Sequence, residues 1–175
     1  KKTAEPESKE MASKILFTGL DNSGKTSIIL ALQREISQIA MLKPTRQAQR
    51  KIFDYLGKQI AEWDLGGQKR YRISYLKEPG RYFDNTSVCI YVIDIQDKKR
   101  LGEALSYFSD VINQFQELEL SDVKIHVFFH KLDPSYVKEQ SQVKLTGQIN
   151  DLEDKISKIV KEEFDTSFHE TTIYD

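Results

Sequence analysis

Residues 19–26, which read Gly-Leu-Asp-Asn-Ser-Gly-Lys-Thr, constrain the fold of this chain more than any other segment. They have the Gly-x-x-x-x-Gly-Lys-Thr spacing of a phosphate-binding loop. Apolar residues at 15–17 predict a strand before the loop, and a stripe of apolar residues over 26–36 predicts a helix after it. The glycines let backbone N–H groups turn toward phosphate oxygens, and the start of the helix adds its positive dipole end. The sequence therefore predicts a cradle for a phosphate chain.

Each part of this cradle has an expected contact. Lys25 is expected to bridge the β- and γ-phosphates of a nucleotide, and the Thr26 hydroxyl is expected to bind Mg²⁺. The other nucleotide contacts in the loop are expected from Asp21, Asn22, Ser23 and Gly24.

A second glycine-bearing segment, residues 63–68, reads Trp-Asp-Leu-Gly-Gly-Gln and follows a predicted strand. Asp64 at the strand end is a candidate for the Mg²⁺ coordination sphere. Gly67 leaves room for a backbone N–H to reach the γ-phosphate, and Gln68 is a candidate to orient an attacking water. A strand-end aspartate with turn glycines and a surface glutamine is the alternative interpretation.

The polar residues 41–50 contain Pro44 and show no periodicity, which predicts an exposed loop. Within it, Thr45 is a candidate to bind Mg²⁺ through its hydroxyl and the γ-phosphate through its N–H. Both contacts need a triphosphate, so Thr45 is a candidate switch residue. A merely solvated threonine is the alternative.

Residues 130–133 read His-Lys-Leu-Asp and follow the apolar run 123–129, at the end of a predicted strand where open α/β sheets bind ligands. Asp133 can accept hydrogen bonds from N1–H and the 2-amino group of guanine. Adenine has an acceptor at the first position and no amino group at the second, so the pattern favours guanine. The aliphatic stem of Lys131 is expected to lie along the base or ribose. A lysine–aspartate pair in a turn that ends at Pro134 is the alternative.

Length and patterning predict one domain of α/β class. The 175 residues are 39% hydrophobic, enough for a single core. Alternating strand and helix patterns predict a mostly parallel six-stranded sheet with helices on both faces. A hairpin around residues 56–58 supplies one antiparallel strand. Residues 1–12 are expected to form a flexible polar leader to the domain at 13–175, and the C-terminal helix that normally follows a last strand at 166–171 is expected to be missing.

Charge and cysteine content bear on partners and compartment. The 26 basic and 27 acidic residues nearly cancel, so no overall field favours nucleic acid. No run approaches the ~18 apolar residues of a membrane span, which argues against integral membrane association. The single cysteine, Cys89, lies in an apolar run and is expected to be a buried thiol in a reducing, cytoplasmic setting.

In this order, these segments resemble the Ras-superfamily small GTPases, from about Lys14 to Asp175. The cradle, Thr45 and residues 63–68 resemble the Arf and Arf-like branch. The later half resembles the Rag/Gtr branch, because His130 stands where most of the superfamily has asparagine and residues 170–175 are similar to the Rag base-contacting loop. The resemblance implies a P-loop NTPase fold, a small G domain, and a base site completed by the residues that follow the last strand, Thr172 and Ile173.

The resemblance also implies a switch that binds GTP and GDP with Mg²⁺ and hydrolyses GTP. Asp21 stands where Ras-like proteins carry glycine, which implies slow unaided hydrolysis. Residues 41–50 and 66–80 are expected to reorder when the γ-phosphate is lost. The second segment is basic, through Lys69, Arg70, Arg72, Lys77 and Arg81, and suits an acidic partner.

The expected partners are an effector, an exchange factor, a GTPase-activating protein and a second subunit in a homo- or heterodimer, with any peripheral membrane contact made through partners. Two other functions stay open at this point. One is a GTP-loaded scaffold subunit with little turnover, and the other is a P-loop ATPase or kinase.

Overall fold

A computed structural model of the chain describes residues 13–32, 47–55 and 58–174, with only the backbone described at 53–55 and 58–60. Six strands form one sheet: β1 (Ser13–Gly19), β2 (Ala48–Tyr55), β3 (Lys58–Leu65), β4 (Thr86–Asp94), β5 (Lys124–His130) and β6 (Thr166–Thr171). Their order is β2-β3-β1-β4-β5-β6, and only the pairing of β2 with β3 is antiparallel. The predicted mostly parallel six-stranded sheet is confirmed.

The described residues contain the helices α1 (Lys25–Leu32), α2 (Lys69–Lys77), α3 (Pro79–Tyr82), α4 (Leu101–Glu117), α5 (Pro134–Glu139) and α6 (Gln142–Val160). The short helices α2, α3 and α5 were not predicted, because four to nine mostly polar residues give little periodicity. Three boundaries differ from the predictions. The predicted loop at 41–50 ends in strand β2, His130 is the last residue of β5 rather than the first after it, and Phe164 lies beyond α6.

Helices cover both faces of the sheet, as predicted, because successive strand residues point to opposite sides. On one face, buried residues of β1, β4 and β5 pack with α4 and α6 in the larger core cluster. On the other, Phe17 and Val92 pack with Ile28 and Ile29 of α1. Cys89 is fully buried in β4, as predicted. Within the described ranges, no helix is long and apolar enough to cross a bilayer.

The sheet topology brings the predicted site segments together. Strands β1, β3, β4, β5 and β6 run parallel, so their carboxyl ends lie at one edge. The loops that leave this edge carry the cradle, the second glycine segment and the base-site residues. This is the edge at which open α/β sheets place their ligands.

Candidate nucleotide-binding site

The cradle lies between β1 and α1, and Gly24 is required there for two reasons. Its φ of +99° is a conformation that side chains disfavour, and an added Cβ would lie 2.5 Å from Cδ2 and 2.8 Å from Nε2 of His130. The Gly24 carbonyl accepts the first helical hydrogen bond, from the N–H of Ile28 at 2.9 Å. The loop therefore passes directly into the helix whose N-terminus faces the site.

Lys25, the first residue of α1, is 5% exposed and turns its ammonium group back over the cradle. Its Nζ donates to the carbonyls of Leu20 at 2.7 Å and Gly19 at 3.3 Å, and to the Ser23 hydroxyl at 3.4 Å. Burial lowers the pKa of Lys25 to about 8, while the Asp64 carboxylate opposes that shift. The group is still mainly charged at neutral pH and is aimed where phosphate oxygens would lie.

Thr26 and Asp64 meet beside the cradle. The Thr26 hydroxyl donates to Asp64 Oδ2 at 2.6 Å, and Asp64 is only 3% exposed. The parallel register that pairs Phe17 with Asp64 sets this meeting. A hydroxyl and a carboxylate are the hard oxygen donors that Mg²⁺ prefers, so these residues fit that ion. The third predicted ligand, Thr45, lies outside the described residues.

The second glycine segment lies directly on the cradle. A Cβ added at Gly67 would overlap the backbone of Leu20 and Asp21, including the Leu20 carbonyl oxygen at 2.5 Å. The next residue, Gln68, is the half-buried N-cap of α2, and its carbonyl accepts hydrogen bonds from the helix. Gln68 therefore begins its helix next to the phosphate loop.

Lys131 joins the base-site segment to the cradle. Its φ of +67° turns the chain as β5 ends, and its Nζ donates to the Asn22 carbonyl at 2.7 Å. The same Nζ forms an ion pair with Asp94 Oδ2, at the end of β4, at 2.6 Å. The ammonium group of Lys131 thus connects its own loop with the cradle and with the end of β4.

Both oxygens of Asp133 are held in place. Oδ1 accepts a hydrogen bond from the Thr172 hydroxyl at 2.7 Å, and Oδ2 accepts one from Gln96 Nε2 at 3.3 Å. Gln96 also donates to the Lys131 carbonyl at 2.6 Å. Ile173 packs on the edge of the smaller core cluster. The carboxylate orientation is thereby fixed before any base binds.

His130 fills the space between the base-site loop and the cradle. Its ring abuts Gly24, and its Nδ1 shares a hydrogen bond with the Thr171 hydroxyl at 2.9 Å. The side chain is 2% exposed. Burial, and secondarily the nearby Lys131 charge, lower the pKa of His130 to about 4, so the folded protein holds a neutral ring.

We expect His130 to make stability depend on pH. Because its folded pKa lies below its ordinary value of 6.5, the unfolded chain takes up the proton first as the pH falls. Above pH 6.5 the ring is neutral in both states, and protonation of His130 costs no stability. As the pH falls from 6.5 to about 4, the free energy of unfolding should decrease by about 3 kcal/mol. Urea unfolding at several pH values from 7 to 4 measures it.

The variant His130→Asn isolates this contribution, because it should lose less stability between pH 7 and 4 than the wild type. The control His126→Asn removes a more exposed histidine, and its stability should still fall between pH 7 and 4 by most of the wild-type amount. Equal pH dependence in the wild type and His130→Asn would contradict the assignment.

Sequence reasoning missed several residues at this edge of the sheet, including Asp94, Gln96, Arg100 and Glu103. Only Asp94 carried a signal, its place at the end of a predicted central strand. The prediction for Arg72 needs correction. It was grouped with the exposed basic residues, but it is 7% exposed and turns inward toward Glu103.

The fold and this arrangement define a P-loop nucleotide-binding domain. The family model described as "Arf: ADP-ribosylation factor family" matches residues 2–167. ADP-ribosylation factor-like protein 3 of Chlamydomonas reinhardtii is 39% identical over 125 residues, which cover 71% of this chain and 66% of that protein. ADP-ribosylation factor-like protein 1 of Saccharomyces cerevisiae is 32% identical over 147 residues, which cover 84% of this chain and 75% of that protein.

The chain belongs to the ADP-ribosylation factor family and is a Ras-superfamily small GTPase of the Arf-like branch. The predicted superfamily is confirmed, and these comparisons give the Rag/Gtr resemblance no support. The structure of the Arl6 small GTPase from Trypanosoma brucei, solved with a bound nucleotide analogue, matches with a TM-score of 0.69 at 19% identity, over 93% of this chain and 88% of that one. That likeness shows the P-loop NTPase fold.

Proposed function

We propose that this chain is a switch that binds GTP and GDP with Mg²⁺ and slowly hydrolyses GTP to GDP and phosphate. The observation that carries the proposal is the convergence of Thr26 and Asp64, 2.6 Å apart, beside a lysine-bearing phosphate loop. The family match supports it, since small GTPases bind guanine nucleotides and hydrolyse GTP. That match does not favour the scaffold or the ATPase and kinase alternatives.

The residues of the cradle would hold the phosphates. Backbone N–H groups of residues 21–24, with the positive end of α1, would surround them, and Lys25 would exchange its carbonyl partners for the β- and γ-phosphate oxygens. Asp133, fixed by Thr172 and Gln96, would accept the two guanine N–H groups. The Ile173 N–H would meet guanine O6.

Thr26 and Asp64 would hold Mg²⁺, with Thr45 as a further ligand in the triphosphate state. When bound, the ion neutralises charge on the phosphate oxygens. The two oxygens already lie 2.6 Å apart, so both side chains are in place to share one ion.

Hydrolysis would depend on the segment that begins at Gly67. The Gly67 N–H would contact the γ-phosphate, and Gln68 would orient the attacking water. Slow unaided turnover is proposed because Asp21, whose backbone lies against Gly67, stands where Ras-like proteins carry glycine. An activating protein would then supply the missing acceleration.

We expect Gln68→Leu to slow single-turnover GTP hydrolysis by about tenfold, because the attacking water loses its orienting amide. GTP affinity should be preserved, since the role proposed for Gln68 is to orient the water and not to hold the phosphates. Rapid-quench hydrolysis and equilibrium nucleotide titration measure the two quantities.

Gln142→Leu, at an exposed position on α6, is the matched control and should behave as wild type. Equal hydrolysis rates in Gln68→Leu and the wild type would remove Gln68 from the mechanism. Bound GTP that stays intact for hours in the wild type would favour the scaffold subunit.

The proposed partners are an effector, an exchange factor and an activating protein, and a homo- or heterodimer contact also stays a proposal. The basic surface near α2 and α3 would receive an acidic partner through residues other than Arg72, namely the exposed Lys69, Arg70, Lys77 and Arg81. A cytoplasmic location, with peripheral membrane contact through partners, is proposed from the family.

A further inference from the structure

Three charged side chains that the nucleotide contacts do not use form a chain of ion pairs from the cradle to the Gly67 segment. Its first part joins the cradle to α4. Arg100, at the N-cap of α4, pairs its Nη2 with Asp21 Oδ1 at 2.6 Å. Its Nε donates to Glu103 Oε2 at 3.0 Å. The Asp21 carboxylate is thus held toward α4.

The second part joins α4 to the Gly67 segment. The other oxygen of Glu103, Oε1, accepts a short hydrogen bond from Arg72 Nη2. Arg72 Nε then donates to the Gly67 carbonyl at 2.8 Å, and the guanidinium group lies 4.9 Å from the centre of the Tyr107 ring. That carbonyl belongs to the peptide bond between Gly67 and Gln68, so Arg72 fixes the peptide plane from which Gln68 starts.

Glu103 is the residue on which both parts depend. Each of its oxygens holds one guanidinium group, and hydrogen bonds from Arg100 and then Arg72 lower the pKa of its carboxyl. The Arg72 side chain is 8% exposed and relies on this partner, because a buried charge without one is costly. Loss of the carboxylate would leave two guanidinium groups facing each other and would release Arg72 from Gly67.

We propose that Glu103 is a positioning residue for GTP hydrolysis, which sets the Gly67 peptide through Arg72 and holds the Asp21 carboxylate aside through Arg100. The role rests on the proposed GTPase activity. Glu103 acts only through its two arginines and makes no nucleotide contact. Its removal should therefore change the rate of the chemical step and spare binding.

The test is single-turnover hydrolysis by the full chain carrying Glu103→Gln, with GTP and GDP affinities measured in parallel. We expect hydrolysis about tenfold slower, since small displacements of catalytic groups cost rates of this order or more. Both affinities should stay within about twofold of wild type, since only transition-state contacts are lost. The control is Asp151→Asn, which removes an exposed ion pair with Lys155 on α6, away from the nucleotide site, and should leave the rate unchanged.

Two further variants separate positioning from folding. Arg72→Lys keeps the charge but lacks the planar fork that serves Glu103 and Gly67 together, so it should also be slow. The double variant that combines Arg72→Gln with Glu103→Gln should hydrolyse GTP no more slowly than the slower of these two single variants. Each substitution breaks the same contact between Arg72 and Glu103, so their effects should not add.

The outcomes are distinct. A wild-type rate in Glu103→Gln, or in Arg72→Lys if the first variant does not fold, would overturn the positioning role while leaving the GTPase proposal standing. Parallel loss of hydrolysis and of both affinities would also overturn it, because that result indicates general disruption. A wild-type protein that binds GTP without hydrolysing it would overturn the proposed function itself.

Discussion

Asp133→Asn is expected to weaken GTP and GDP binding by about a hundredfold or more and to create binding of xanthosine triphosphate. The carboxylate offers two acceptors to guanine, whereas the amide presents an N–H₂ group to the guanine amino donor. The guanine amino group then faces a donor, and the hydrogen bond from N1–H is no longer made to a charged acceptor; at roughly 1–3 kcal/mol each, these two changes account for the loss. Xanthine carries a carbonyl at the position of the amino group, which the new amide can serve.

Competition against a fluorescent nucleotide, with GTP, xanthosine triphosphate and ATP as competitors, measures the change. The matched control is Asp151→Asn, which alters an exposed ion pair on α6 and should keep GTP preference. Retained GTP preference in Asp133→Asn would exclude Asp133 from base recognition. ATP competing as well as GTP with the wild type would instead favour an ATPase or kinase.

Gly67→Ala is expected to reduce single-turnover hydrolysis by about a hundredfold while GDP binding is retained. The added methyl group would overlap the Leu20 and Asp21 backbone, and backbone cannot rotate away as a side chain can. The Gly67 segment must therefore move off the cradle, which displaces Gln68 and the Gly67 N–H together. The cradle itself is unchanged, so diphosphate contacts persist.

Rapid-quench kinetics and GDP titration measure the two effects. Gly102→Ala is the matched control, because the residue lies in α4 and, apart from its chain neighbours and the local helix backbone, no atom lies within 4 Å of its added Cβ. That control should be neutral or slightly more stable, since alanine favours helix over glycine. Full hydrolysis by Gly67→Ala would mean that the close contact with the cradle is not needed for catalysis.

The fold was largely predictable because its longest elements carry clear periodicity. The apolar run in β4, the apolar stripe of α4 and the Leu56-Gly57-Lys58 sequence each predict one structure, and together they imply the sheet class. Helix α2 was not predictable in the same way. Its nine residues are mostly polar or aromatic, and its stability depends on contacts such as that of Arg72 with Glu103 on another helix.

The candidate site also contains residues that the sequence could predict and contacts that it could not. Residues with fixed spacing, such as Lys25, Thr26 and Asp64, could be named from sequence because backbone geometry ties their chemistry to their position. The contact of Lys131 with the Asn22 carbonyl joins residues 109 positions apart, and no local pattern encodes it. The inward turn of Arg72 likewise follows from tertiary packing, not from its neighbours in sequence.

The buried thiol of Cys89 has a practical consequence. Burial in the central strand β4 raises its pKa far above the ordinary value, so the reactive thiolate is suppressed while the sheet is closed. The chain has no other cysteine, so a single sulfur reacts only in molecules whose core has opened. The rate of alkylation then depends on how often the core around β4 opens in the unmodified protein.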